Sequence, residues 1–263
     1  MSLYLKFLSL AFKEKYTYKF DFYVSILASM LVVFVQVNVW TALYKGTDFS
    51  HVVSLEQVIT YVLLSFVIFN LTRSEVSIKI GKKVEDGSII ADFIRPVNFK
   101  SFLLAEDLGN NFFQFLFVSI PAVILSALFC GFSLEGDLLT FIIFLMSVIL
   151  GVLIAFHIKF IIGLFSFWLE TSWYIPFFVG AIFELFSGST IPLWFYPSWL
   201  QAITDWLPFR FIFFEPIAIF LNKYSTSEAA LILVLQLAWL LIMIVIERWI
   251  WIKAQQEITV NGG

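Results

Sequence analysis

Cysteine, histidine and proline are scarce in this 263-residue chain: one Cys, two His and seven Pro. The single cysteine, Cys130, excludes an internal disulfide framework and reads as a small apolar residue at a helix end. There is no cysteine pair and no H-E-x-x-H, and His51 and His157 sit in different segments, so no metal centre is expected. G-x-S-x-G is absent, which leaves a membrane hydrolase without support. The nearest approach to G-x-x-x-x-G-K-[ST] is Gly81-Lys82-Lys83, which lacks the upstream glycine and the hydroxyl residue. The chain cannot cradle ATP by that device, and it is read as no enzyme. Charge is also sparse, at 13% of residues. Its 16 Lys and Arg are scattered over several loops, which is no surface for nucleic acid. Residues 1–19 carry lysines throughout, and the apolar run after them is too long for a signal peptide and lacks a small-residue cleavage site.

Hydrophobic residues, by contrast, make up 61% of the chain, and the mean hydropathy is +0.95. Six apolar stretches fill 20–44, 56–72, 108–130, 138–160, 164–189 and 229–252. Each is near or above the roughly 20 residues that an α-helix needs to cross about 30 Å of hydrocarbon. The fold class is therefore an all-α membrane protein with six transmembrane helices in one domain, 1–263. No internal repeat is visible.

Lysine and arginine set the orientation. Lys6, Lys13, Lys15 and Lys19 precede the first stretch. Arg73, Lys79, Lys82, Lys83, Arg95 and Lys100 lie between the second and third, and Arg248 and Lys253 follow the last. The loops on the opposite side hold only Lys45, Arg210 and Lys223. Short basic loops stay cytoplasmic, so both termini and the 73–107 loop are expected inside. Trp40, Tyr44, Trp194, Tyr196, Trp199 and Trp206 gather at the expected outer interface, and Trp249 and Trp251 at the inner one.

Three segments depart from plain spans. Residues 3–12 alternate Leu and Phe with lysine, as either a short interfacial helix or the start of the first span. The 73–107 loop is the largest polar segment. The outer segment 190–222 is apolar but broken by Pro192, Pro197, Pro208 and Pro216, which forbid one continuous helix. Short re-entrant helices over 197–206 and 209–221 fit it, shielded by protein because irregular backbone at membrane depth needs partners.

Polar residues within the spans have two readings each. Asn70, Asn110, Asn111, His157, Lys159 and Gln236 suit interhelical hydrogen bonds or interfacial placement. Glu184 is sharper: an ionisable group inside a span either faces a pathway or partner subunit, or snorkels to the interface.

The inner loop carries Val84-Glu85-Asp86-Gly87-Ser88-Ile89-Ile90-Ala91-Asp92-Phe93-Ile94-Arg95-Pro96-Val97, a glycine, then apolar residues at helical spacing, then an apolar–Arg–Pro ending. Further on come Ser187-Gly188-Ser189-Thr190-Ile191-Pro192-Leu193, Tyr196-Pro197-Ser198-Trp199-Leu200, Leu207-Pro208-Phe209 and Glu215-Pro216. In order and spacing the chain resembles the type-2 (ABC-2-like) permeases of ABC exporters, in their six-span branch. The resemblance implies a cell-membrane permease without ATPase activity, paired with an identical or paralogous permease. It implies cytoplasmic ABC ATPase subunits that bind ATP and Mg, with no cofactor in this chain. It implies contact with the ATPase through Ile78, Lys82, Glu85, Gly87, Ile90, Arg95 and Pro96. Glu184, Pro192, Pro197 and Pro208 would then form the pathway or outer gate, and the cargo would be amphipathic or hydrophobic and move outward. The competing reading is a secondary transporter or channel that needs no ATPase. It calls for paired broken helices in repeated halves, which the sequence lacks.

Overall fold

A computed structural model describes residues 3–17, 19–46, 53–130, 136–169 and 174–261. Every regular element among them is helical. Five helices are long and apolar enough to cross a membrane. The first is Val24–Gly46, within α2 (Lys19–Gly46). The second joins α3 (Leu55–Thr72) to α4 (Val76–Glu85). After α5 (Ile89–Ile94), the third runs through α6 (Phe99–Gln114), a π-helical turn (Phe115–Ser119) and α7 (Ile120–Cys130). The fourth is α8 (Leu138–Leu164) with a 3-10 turn (Phe165–Phe167), and the last is α12 (Thr226–Asn261).

Local chemistry sets these ends. Ser54 and Gln57 form a reciprocal capping box at the start of α3. Asn98 and Asp137 accept from backbone N–H groups of Ser101 and Thr140, each at 2.9 Å, and so cap α6 and α8. The π turn lies just before Pro121, which has no backbone N–H to give.

The fifth predicted span is a shorter helix than the sequence predicts. In place of 164–189, α8 runs on to Leu164, and α9 covers Ile175–Ser187, 13 residues. At 1.5 Å per residue that is about 20 Å, less than the hydrocarbon thickness. Proline in its first turn opens it, and Gly188 at φ 77° closes it. The Tyr61 hydroxyl donates to the Gly188 carbonyl at 2.7 Å, so α9 stops against the middle of α3.

The proline-broken segment 190–222, predicted to lie on the outer side, takes over where α9 stops. It holds a 3-10 turn (Leu193–Phe195), α10 (Ser198–Thr204), a second 3-10 turn (Pro208–Phe211) and α11 (Phe214–Phe220). These pieces match the short helices predicted from the prolines. Every residue of α11 is buried. Gln236 fixes the depth: its side-chain amide donates to the Ser147 carbonyl at 3.0 Å and the Phe211 carbonyl at 2.8 Å. Gln236 lies ten residues into α12, about 15 Å along it, so the chain dips well below the start of that helix. Trp40 packs on Phe195 at 5.0 Å and Trp194 on Phe214 at 4.8 Å. Trp40 therefore ties the segment to α2, and Trp194 ties its first 3-10 turn to α11, while Trp199 and Trp206 remain exposed.

At the other end, α1 (Leu3–Thr17) is a helix of its own, packed along α6. Phe7 meets Phe102 at 4.9 Å and Phe12 meets Phe113 at 5.4 Å. Its outward face keeps Leu3, Leu5 and Leu10 exposed.

Candidate coupling surface and membrane groove

α4 and α5 form a helix–turn–helix at the end of the bundle that carries the basic residues. α4 buries Val76, Ser77, Ile80 and Gly81. That face lies on α8 at Gly163, where an added Cβ would stand 2.8 Å from Ile80 Cδ1 and 3.0 Å from Ser77 Cα. A small residue is needed for such close approach. The opposite face presents Ile78, Lys82 and Glu85 to the outside, at the four- and three-residue spacing of one helical side. The turn follows at Gly87, whose φ of 73° suits a residue without Cβ. Asp86 accepts from the Ser88 N–H at 2.9 Å, and hydrogen bonds from Ser88, then Lys82 and Lys83 nearby, hold its carboxyl below the usual range.

α5 buries Ile89 and Asp92 and exposes Ile90 and Ile94. Asp92 is held by Lys83 and by Arg95, the latter at 3.0 Å. Phe93 stacks on Trp251 at 5.3 Å, which fastens α5 to α12. All seven residues singled out from the sequence, Ile78, Lys82, Glu85, Gly87, Ile90, Arg95 and Pro96, are exposed on this unit. Ile94 was missed, although it is the most exposed of the isoleucines here, at 78%. The apolar–Arg–Pro ending was its signal.

Behind this surface the helices are joined by polar contacts. Lys159 donates to the Thr72 carbonyl at 2.7 Å and Asn111 to the Leu71 carbonyl at 2.8 Å. Ser74 donates to Asp107. Glu247 on α12 takes Lys100 of α6 at 2.7 Å and His157 of α8. Asn111, His157, Lys159 and Gln236 thus make interhelical bonds, while Asn70 bonds its own helix at Phe66. Glu247, Asp107 and Lys100 were not singled out as their partners.

Between α3, α4, α8 and α9 lies a groove of about 290 Å³. Arg73, Ser74, Lys159 and Glu184 line it together with Phe69 and Phe177. The Lys159 ammonium stands 5.6 Å from the Phe183 ring. That ring packs on Phe209 and Phe213 of the outer segment, at 5.8 and 6.0 Å. Glu184 therefore faces the groove on an exposed side of α9, together with Arg73 and Ser74 of the α3–α4 junction.

The prolines of that segment begin its turns. Pro192 precedes the first 3-10 turn, Pro197 precedes α10 and Pro208 opens the second 3-10 turn. Beside them Arg210 pairs with Asp205, and with the buried Glu215 at 2.6 Å, next to a cavity of about 180 Å³ that includes Tyr224. Sequence reading had flagged Glu215-Pro216 as a motif without finding its arginine.

A family model described as ABC-2 family transporter protein matches residues 22–262. No curated protein and no solved structure is found to match. The matched span runs from α2 into α12 and includes the α4–α5 unit, the groove and the outer pieces. The chain belongs to the ABC-2 family of transporter proteins.

Proposed function

We propose that this chain is the membrane-spanning permease subunit of an ATP-driven exporter in the cell membrane, with both termini cytoplasmic. It binds no ATP itself. Separate ABC ATPase subunits supply ATP and Mg, and a second permease, identical or paralogous, completes the pathway. The observation that carries the reading is the α4–α5 surface. Exposed Ile78, Ile90 and Ile94 stand among Lys82, Glu85 and Arg95 on a compact unit wedged against α8 and α12. Three exposed isoleucines gathered on one small unit and rimmed by charge suit a protein partner.

In this mechanism ATPase closure pushes α4 and α5 as one body. α4 adjoins α3 and lies on α8, so the push reaches the spans as a rigid shift rather than as chemistry. The outer pieces around Pro192, Pro197 and Pro208 close the far end of the pathway, and Glu184 lies beneath them. Cargo is amphipathic or hydrophobic and leaves outward.

Co-expression with a P-loop ATPase encoded beside this chain tests the reading: the two co-purify and hydrolyse ATP. Gly87→Val puts a β-branched residue at positive φ, at a cost of about 1–2 kcal/mol, and lowers recovery of the ATPase. Gly87→Asn, which tolerates that conformation, keeps it. Equal recovery from both variants removes the turn from the contact.

Orientation has its own test, in a Cys130→Ser background. An impermeant thiol reagent labels Ser227→Cys in intact cells and reaches Lys82→Cys only after permeabilisation. The opposite pattern would invert the topology.

A further inference from the structure

The groove between α3, α4, α8 and α9 holds charges of both signs beside an apolar wall. Arg73 and Glu184 line it and make no ion pair among the described residues. Lys159 gives a hydrogen bond to the Thr72 carbonyl. An ammonium has three donors, so others remain available. Phe69 and Phe177 are 50% and 72% exposed along the same groove. Arg73 at the α3–α4 junction and Glu184 on α9 thus offer charges of opposite sign along one groove to a partner brought from outside the chain.

We propose that this groove binds a phospholipid with a zwitterionic, amine-bearing headgroup. The phosphate sits on Arg73 and Lys159, the amine on Glu184, and the acyl chains lie along Phe69 and Phe177. The inference rests on the permease reading and names the class of its cargo. Charge complementarity selects the headgroup. A purely anionic lipid leaves Glu184 unpaired and repelled, and a purely cationic amphipath does the same to Arg73 and Lys159. A water-soluble solute makes no use of the apolar wall that Phe69 and Phe177 supply. A volume of about 290 Å³ lies at the small end of ligand pockets, enough for a headgroup and the start of its chains.

Native mass spectrometry on the full-length protein in detergent tests this, with three lipids of identical chains. Phosphatidylethanolamine offers phosphate and amine, phosphatidylglycerol phosphate alone, and diacylglycerol neither. The native protein retains phosphatidylethanolamine best and diacylglycerol least. Glu184→Gln makes the two phospholipids equal. Arg73→Gln weakens both by about tenfold, the worth of one charge-assisted hydrogen bond. Both side chains are exposed, so neither change disturbs folding. Equal retention of all three lipids by the native protein overturns the proposal, as does an unchanged profile in both variants. The measurement uses the permease alone. Loss of lipid selectivity therefore leaves ATPase assembly through α4–α5 standing, and loss of that assembly leaves the lipid result standing.

Discussion

Ile94→Asp strips the ATPase from the complex while leaving the permease in the membrane. Ile94 is 78% exposed at the end of α5, so the folded permease loses little when it changes. In the proposed assembly it is an apolar anchor at the centre of the contact. Truncating such an anchor costs about 2 kcal/mol or more, and an aspartate also carries a charge into a contact that the isoleucine fills with apolar surface. Weakening by at least about 30-fold in Kd follows. The measurement is recovery of the ATPase on the tagged permease, with Ile94→Leu as the variant that keeps binding. Full recovery by the aspartate variant would remove α5 from the interface.

The second large effect is on stability. Glu247→Ala removes the carboxylate that Lys100 and His157 share between α6, α8 and α12. Taking the carboxylate away leaves the Lys100 ammonium without a counter-charge and His157 without its hydrogen-bond partner, at about 3–5 kcal/mol. Lys100 keeps 29% of its side chain exposed, so the lower part of that range applies. Thermal unfolding in detergent reads the loss as a lower Tm. Replacing Glu247 and Lys100 together by methionine recovers most of it, because apolar packing of similar volume substitutes for a buried pair. A double variant no more stable than Glu247→Ala would show that the ionic contact itself, not packing volume, holds these helices together.

Long apolar runs were easy to find in the sequence because lipid-facing helices need no polar stripe. The predicted 56–72 and 138–160 meet Leu55–Thr72 and Leu138–Leu164 closely. Where a helix is amphipathic the reading falls short. The third span was predicted from 108, yet its helix begins at Phe99, since Lys100, Glu106 and Asp107 hide the first turns from hydropathy. The fifth differs in the opposite direction: 164–189 is apolar enough to read as one span, but the α9 helix stops at Ser187 and opens only at Ile175. Hydropathy registers composition and is blind to the end of α8. The exposed residues of the α4–α5 unit were legible because Gly87 and Pro96 punctuate the chain. The Glu247–His157 pair was not, because its members stand 90 positions apart and nothing local in either stretch announces the other.

The π turn at Phe115–Ser119 gives the third span a spare residue. A π turn accommodates one more residue than the α turn it replaces. Losing one residue there restores the α pattern without cutting the helix. Everything beyond then rotates by about 100° and shortens by about 1.5 Å. α6 is held by α1, and α7 runs beside α2, so the two halves answer to different neighbours. The spare residue works as a register adjuster: it lets the side facing α1 and the side facing α2 be set separately on what is, to the bilayer, one helix.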